Sequence, residues 1–233
     1  MSALQWWIEA GVDTMVSDEP RDWLRPKTVP VPAGTPEAKP APASPAQEAL
    51  PATLDLFQAY LRDSDALPYS APRAPRVIPS GDPASGLMIM IDMPSEDCLR
   101  DRQLIGGEAG RLFDRILAAI GRDRTSVYLA ALSCFRAPSG VLAKPEEDRC
   151  AEIARHHVGL SSPRALLLMG DGAARALTGQ SATQARGRWH EVATPSGPVR
   201  AIATLSPQSL ISHPRLKAHA WADLQMLMEG FEP

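Results

Sequence analysis

Ala165-Leu-Leu-Leu-Met169 runs directly into Gly170-Asp-Gly172 and then into Ala173-Ala-Arg-Ala-Leu177, ahead of Gly179. The first piece is wholly apolar and five residues long, as expected of a strand covered on both faces. The glycines permit a sharp turn, and Gly179 marks a helix end. A strand feeding a helix through so short a connection is the repeating unit of a parallel sheet. Outward from it, Leu87-Met-Ile-Met-Ile91 reads as a second buried strand, and residues 127–132 and 199–203 as two more. Between them, Leu112, Ile116 and Leu117 share one face of a helix over 108–120. Pro145 stands at the favoured first turn of a helix running to about 158. Residues 220–229 form a closing helix. Leu54, Phe57 and Leu61 sketch an earlier one, and 68–85 reads as irregular. The expected fold is α/β, a three-layer α/β/α sandwich around a mainly parallel sheet. Ligands of such sheets bind beyond the carboxyl ends of the strands. The segments that matter are therefore 92–107, 131–140, 170–173 and 204–213.

The chain has 233 residues, 44% of them hydrophobic, enough for one sizeable core. Its net charge of −3 excludes a globally basic nucleic-acid coat but not a local basic groove. No apolar run approaches the roughly 18 residues of a membrane span. Residues 1–10 carry Glu9 and no cation, unlike a secretory signal. Three cysteines are too few for a disulfide framework. A cytoplasmic or nucleoid-associated protein is expected, with no membrane partner.

Eight of the 23 prolines fall in 26–51, among Ala, Val, Thr, Ser and Glu without apolar periodicity. Such a stretch buries too little to offset its ordering entropy and reads as a disordered, extended linker. It separates a head, 1–25, from a body, 52–233. In the head, Leu4, Trp7, Ile8 and Met15 fall on one helical stripe, with Glu9 and Asp13 opposite. Trp6, Trp7 and Trp23 are three of the five tryptophans. Two readings stand: the helix folds back on the body, or it docks in a partner's groove with Leu4, Trp7, Ile8, Met15 and Trp23 as contacts. The long tether favours the second, because loop closure weakens self-docking.

Taken in order, several pieces of the body resemble the uracil-DNA glycosylase superfamily, most closely its family 4 branch. They are Glu108-Ala-Gly-Arg-Leu-Phe-Asp-Arg-Ile-Leu117, Leu168-Met-Gly-Asp-Gly-Ala-Ala-Arg-Ala-Leu177, Arg186-Gly-Arg-Trp-His190, Pro214-Arg-Leu-Lys217 and Ala220-Trp-Ala-Asp-Leu224. The resemblance implies the sandwich fold and a base-excision site, but the positions that would carry catalysis depart from it. Where the family has Gly-Glu-x-Pro-Gly, this chain has Ile91-Asp92-Met93-Pro94-Ser95. Ile105 replaces the Phe that stacks on uracil. Ala131 replaces the Asn that reads the base edge. Ser206 replaces the His that stabilises the departing anion. A glycosylase must hold its extruded base by stacking and edge hydrogen bonds. Without those groups discrimination falls, and loss of a charge-stabilising partner typically costs a few kcal/mol of transition-state stabilisation. Asp92 alone, at a strand end, reads more simply as a cap or turn former.

The family also implies an iron–sulfur cluster on four cysteines, two of them upstream of the first strand. Here no cysteine precedes Cys98, Cys134 is one residue out of register with Phe135 in the matching place, and only Cys150 aligns. Too few thiolates remain for a four-thiolate shell, so no cluster and no other cofactor is expected. His156 and His157 are adjacent, on different helix faces, and unsuited to zinc. Arg186, Arg188, Arg215 and Lys217 match the family's backbone-contacting parts and are the candidates for weak, sequence-nonspecific DNA binding.

Two functions follow. One is a pseudoenzyme: a non-catalytic glycosylase-fold module in replication or repair, joined to a protein partner by the head. Its architecture is also similar to the psi accessory subunit of the bacterial clamp loader. The other is a divergent glycosylase removing a different damaged base.

Overall fold

The computed structural model describes residues 49–231. The head contacts Leu4, Trp7, Ile8, Met15 and Trp23, and all of the linker but its last three residues, lie outside them. In chain order the body comprises α1 (Leu54–Asp63), β1 (Ser80–Gly81), β2 (Leu87–Ile91), α2 (Glu96–Asp101), α3 (Gly107–Ala119), β3 (Tyr128–Ala131) and α4 (Lys144–Ser161). It continues with β4 (Ala165–Met169), α5 (Asp171–Thr178), α6 (Ala182–Ala185), β5 (Trp189–Thr194), β6 (Gly197–Thr204), α7 (Pro207–Ser212) and α8 (Lys217–Phe231).

The six strands form one mixed sheet in the order β1-β3-β2-β4-β6-β5. The inner four, β3, β2, β4 and β6, are mutually parallel, while β1 and β5 close the two edges antiparallel. Alternation along β2 builds the layers. Met88 and Met90 face α4 residues such as Ala151, Ala154 and Val158 in one core. Leu87, Ile89 and Ile91 face Phe113 and Leu117 of α3 and Leu224 and Leu227 of α8 in the other. All five residues of β2 and of β4 are buried, which is why both strands read as continuous apolar runs. The sandwich expected from the sequence is the one found.

Sequence periodicity passes over β5. Only Val192 of that strand is buried, so no clean alternation marks it. It pairs along its length with β6, from Trp189 opposite Ile202 to Thr194 opposite Gly197. The fourth strand is therefore the second arm of a hairpin, longer than its 199–203 core. The irregular stretch 68–85 holds the two-residue β1 and a 3-10 turn, Pro83–Ser85.

Connection order locates the site. From β2 the chain passes to β3 on one side, then returns through α4 to β4 on the other side of β2. The carboxyl ends of β2 and β4 therefore flank the point where winding reverses, and crevices in such sheets open there.

Candidate functional site

At that point lies a cavity of about 300 Å³, lined by Ile91, Asp92, Met93, Ile105, Met169 and Ser206 among others. Its size falls at the lower end of small-molecule pockets, roughly 300 to 1,000 Å³. Three of the four positions flagged from sequence, Asp92, Ile105 and Ser206, meet here. Ala131 does not line this cavity. It lies at the end of β3 against a separate small void shared with Cys134 and Cys150. The walls are mostly apolar, and the polar groups are few.

Asp92 follows β2 directly, and its side chain is committed to the neighbouring βα unit. Its Oδ1 accepts the Ala173 N–H at 2.6 Å, across 81 residues of sequence. Gly172 N–H also contributes, and α5 thus begins on a borrowed carboxylate. Burial pushes the Asp92 carboxyl above its ordinary value, while the Ala173 and Gly172 N–H groups pull it back part of the way. Room for this contact comes from Gly170, whose φ of +126° no other residue adopts readily. A Cβ there would stand 2.7 Å from the carboxylate oxygens.

Ser206 has a similar occupation. It is the N-cap of α7, accepting the Ser209 N–H at 3.3 Å, with its hydroxyl 3.0 Å from the Ser209 hydroxyl. Ile105 has φ +55°, unusual for a β-branched residue and a strained state. Arg124 holds it there. One guanidinium donates to the Leu104 carbonyl at 2.6 Å and the Ile105 carbonyl at 2.8 Å, and pairs with Asp114 at 2.6 Å. The Ile105 side chain is buried and presents an apolar wall to the cavity.

Sequence reasoning missed Arg136, Gln208 and Cys98, which also line the cavity. Arg136 is about one-third exposed, and its ion-pair partner, Glu96, stands 3.9 Å away and is itself largely exposed. It falls inside the flagged stretch 131–140, so its cationic side chain was the available signal. Cys98 is buried, 3.1 Å from the Ser95 hydroxyl, with Gly106 N–H on its sulfur at 3.4 Å.

The candidate DNA contacts divide. Arg186 is engaged: it donates to the His219 carbonyl at 2.8 Å and pairs at 3.2 Å with the fully buried Asp223. Asp223 also accepts Gly187 N–H at 3.0 Å and the Thr204 hydroxyl at 2.9 Å. These bonds tie the 186–188 loop, the end of β6 and α8 together, so Arg186 has a structural task that its loop position did not announce. Arg188 is exposed and donates to Gln180. Arg215 and Lys217 are exposed, with no ion pair or side-chain hydrogen bond among the described residues.

The cysteines do not fit an iron–sulfur cluster. Cys134 and Cys150 line a void of about 20 Å³, room for roughly one water. Burial pushes both thiols up to about 12, the reverse of what a thiolate ligand needs. Phe135, in the family's ligand position, is buried with Phe57, Leu61, Leu67 and Ile153 in an apolar cluster under α1. Cys98 belongs to the opposite core. Nor do the histidines assemble a metal site. His157 is buried among Phe57 and Tyr128, its Nε2 2.8 Å from the Tyr128 hydroxyl, while His156 reaches the Pro51 carbonyl. Burial holds His157 at about 3, hence neutral. Gln58 donates to the same hydroxyl at 2.9 Å and completes the chain.

An α/β/α sandwich with a pocket at the β2/β4 switch point, walled by an Asp, a strained loop and a Ser-Pro turn, is an open α/β fold whose crevice lies where such folds bind ligands. Residues 78–225 match the family model of the Uracil DNA glycosylase superfamily, and the chain belongs to that superfamily. It is similar to the Type-4 uracil-DNA glycosylase of Archaeoglobus fulgidus, 26% identical over 141 residues that cover 56% of this chain and 71% of that protein. The family 4-like resemblance read from the sequence thus holds. Among the described residues no helix is long and apolar enough to cross a membrane.

Proposed function

We propose that this chain is a non-excising member of the superfamily: a DNA-binding module of repair or replication, brought to its assembly by the head. The observation that carries this is the engagement of Asp92 with the Ala173 N–H. A carboxylate serving as a helix cap, with an oxygen committed to the Ala173 N–H, is poorly placed to activate a water. Ser206 is likewise spent on α7 and offers no charge to a departing base. Ile105 gives contact without an aromatic face. Exposed Arg188, Arg215 and Lys217 supply phosphate contacts, which position a protein without reading sequence. Recruitment through Leu4, Trp7, Ile8, Met15 and Trp23, in the manner of a psi-like clamp-loader subunit, is the most specific form of the proposal. It rests on the domain plan of head, linker and body.

A second reading has its own support. The cavity stays open at about 300 Å³, with Arg136 and Gln208 on its wall, and so has room for a base other than uracil.

An abasic-site cleavage assay on single- and double-stranded DNA separates the two. Substrates carrying uracil, hypoxanthine, xanthine or an alkylated purine should all remain intact. Turnover on any of them that is lost in Arg136→Ala would replace the first reading with the second.

A further inference from the structure

α8 turns one face to solvent. Trp221 lies on it, 40% exposed, the one aromatic side chain among the large exposed hydrophobics of the described residues. Lys217 stands one turn earlier and Gln225 one turn later, so all three share a stripe, since residues four apart on a helix are neighbours. Ala218 and Ala222 flank them, and every member of this face is exposed. The stripe carries no acid from 217 through 225, although the chain as a whole is acidic.

Cations gather at the start of this helix. The 3-10 turn Pro214–Leu216 leads into α8 and carries exposed Arg215. Lys217 is thus a helical neighbour of one uncovered indole, and Arg215 stands in the turn that leads to it. Phosphate-neutralising side chains beside an exposed aromatic ring are what single-stranded nucleic acids require: the groove follows the backbone and the ring takes a base face. A duplex keeps its bases stacked on one another and offers that ring little.

We propose that this face of α8 is a single-stranded DNA platform in which one unpaired base stacks on Trp221 while Lys217 and Arg215 hold the adjoining phosphates. The inference rests on the DNA-binding reading above and names its strand preference. It also separates the platform from the β2/β4 cavity: binding need not pass through Asp92, Ile105 or Ser206.

The test uses the full chain and a fluorescein-labelled oligothymidine of about 20 nucleotides, with the corresponding duplex as a second probe. Trp221→Ala should weaken single-strand binding about tenfold, and duplex binding little, given the usual strength of base–aromatic stacking. Trp221→Phe should keep most of the affinity. Lys217→Gln should instead reduce the log–log salt slope by about 0.7. Trp221→Phe also removes the indole, so the oligonucleotide-quenched emission of the wild type should shrink in it. That optical difference serves even if the alanine variant does not fold. Single-strand affinity and quenching unchanged in both Trp221 variants, with a preserved salt slope, would overturn the platform but leave DNA binding intact. Absence of DNA binding by the wild type at low salt would overturn both readings.

Discussion

Replacing Asp92 distinguishes a cap from a catalyst. Asp92→Ala removes the acceptor of the Ala173 N–H. Loss of an N-terminal cap costs about 1 kcal/mol, and a buried N–H left without a partner about 1–3 kcal/mol. The adjacent cavity can admit water to that N–H, and truncation relieves a desolvated carboxylate, so the net loss should fall near the low end, about 1–2 kcal/mol. Asp92→Asn keeps an acceptor and should lose less. The pH dependence supplies a second check. Burial raises the folded-state carboxyl above its ordinary 3.8, so the native state holds this proton more tightly than the unfolded chain. The stability it contributes is full below 3.8 and is lost as pH rises through the raised value. Wild type should therefore decline over that window relative to Asp92→Asn, which has nothing to titrate. Urea melts at a series of pH values, beside the abasic-site assay, measure both. An Asp92→Ala protein as stable as wild type, in which a wild-type excision activity has vanished, would refute the capping argument.

The buried His157 should act in the opposite direction: depressed to about 3 from 6.5, it contributes stability above 6.5 that is lost as pH falls. Roughly 2–3 kcal/mol should go between 6.5 and about pH 4.5, and acid melts of His157→Gln should lack that loss. Asp223→Ala leaves Arg186 unpaired and should cost about 3–5 kcal/mol, with proteolysis at the 186–188 loop reporting its release. Protein purified without oxygen should be colourless and iron-free by metal analysis; near-stoichiometric iron would show that thiols other than a full cysteine set can hold a cluster. Trp7→Ala should cost about 2 kcal/mol or more of partner affinity while leaving the melting of the body unchanged, and a chain beginning at Ala52 should melt like the whole. If that truncation lowers the melting point substantially, the head braces the body instead.

Some of this was legible in the residues and some was not, for physical reasons. Leu87-Met-Ile-Met-Ile91 and Ala165-Leu-Leu-Leu-Met169 declare themselves because parallel strands between two helical layers are apolar on both sides. Trp189-His-Glu-Val-Ala-Thr194 does not, since an edge strand with one buried residue follows no simple pattern. The site shows the same division. Asp92 and Ser206 stand out by position, but their partners are the backbone N–H groups of Ala173 and Ser209, and a main-chain donor has no letter in the sequence. Arg186 reads as a free cation until Asp223, placed against it by the fold 37 residues later, is seen to hold it. The Asp223 in Ala220-Trp-Ala-Asp-Leu224 offered a hint, being an acid on the core side of an apolar helix.

The apolar cluster beneath α1 has a consequence for how the body opens. That helix lies at the margin of the structure, resting through Phe57 and Leu61 on Cys134, Phe135 and Ile153. Such peripheral units detach before the core does, in excursions that leave the sheet intact. While α1 is seated, Cys134 is 7% exposed and its thiol is held up at about 12, which makes it inert to alkylating reagents. When α1 lifts, the sulfur meets water and recovers ordinary acidity and reactivity. Cys134 is thus a native reporter of undocking, and its alkylation rate over increasing reagent concentration would count how often the flap beside the linker opens, long before any melt registers a change.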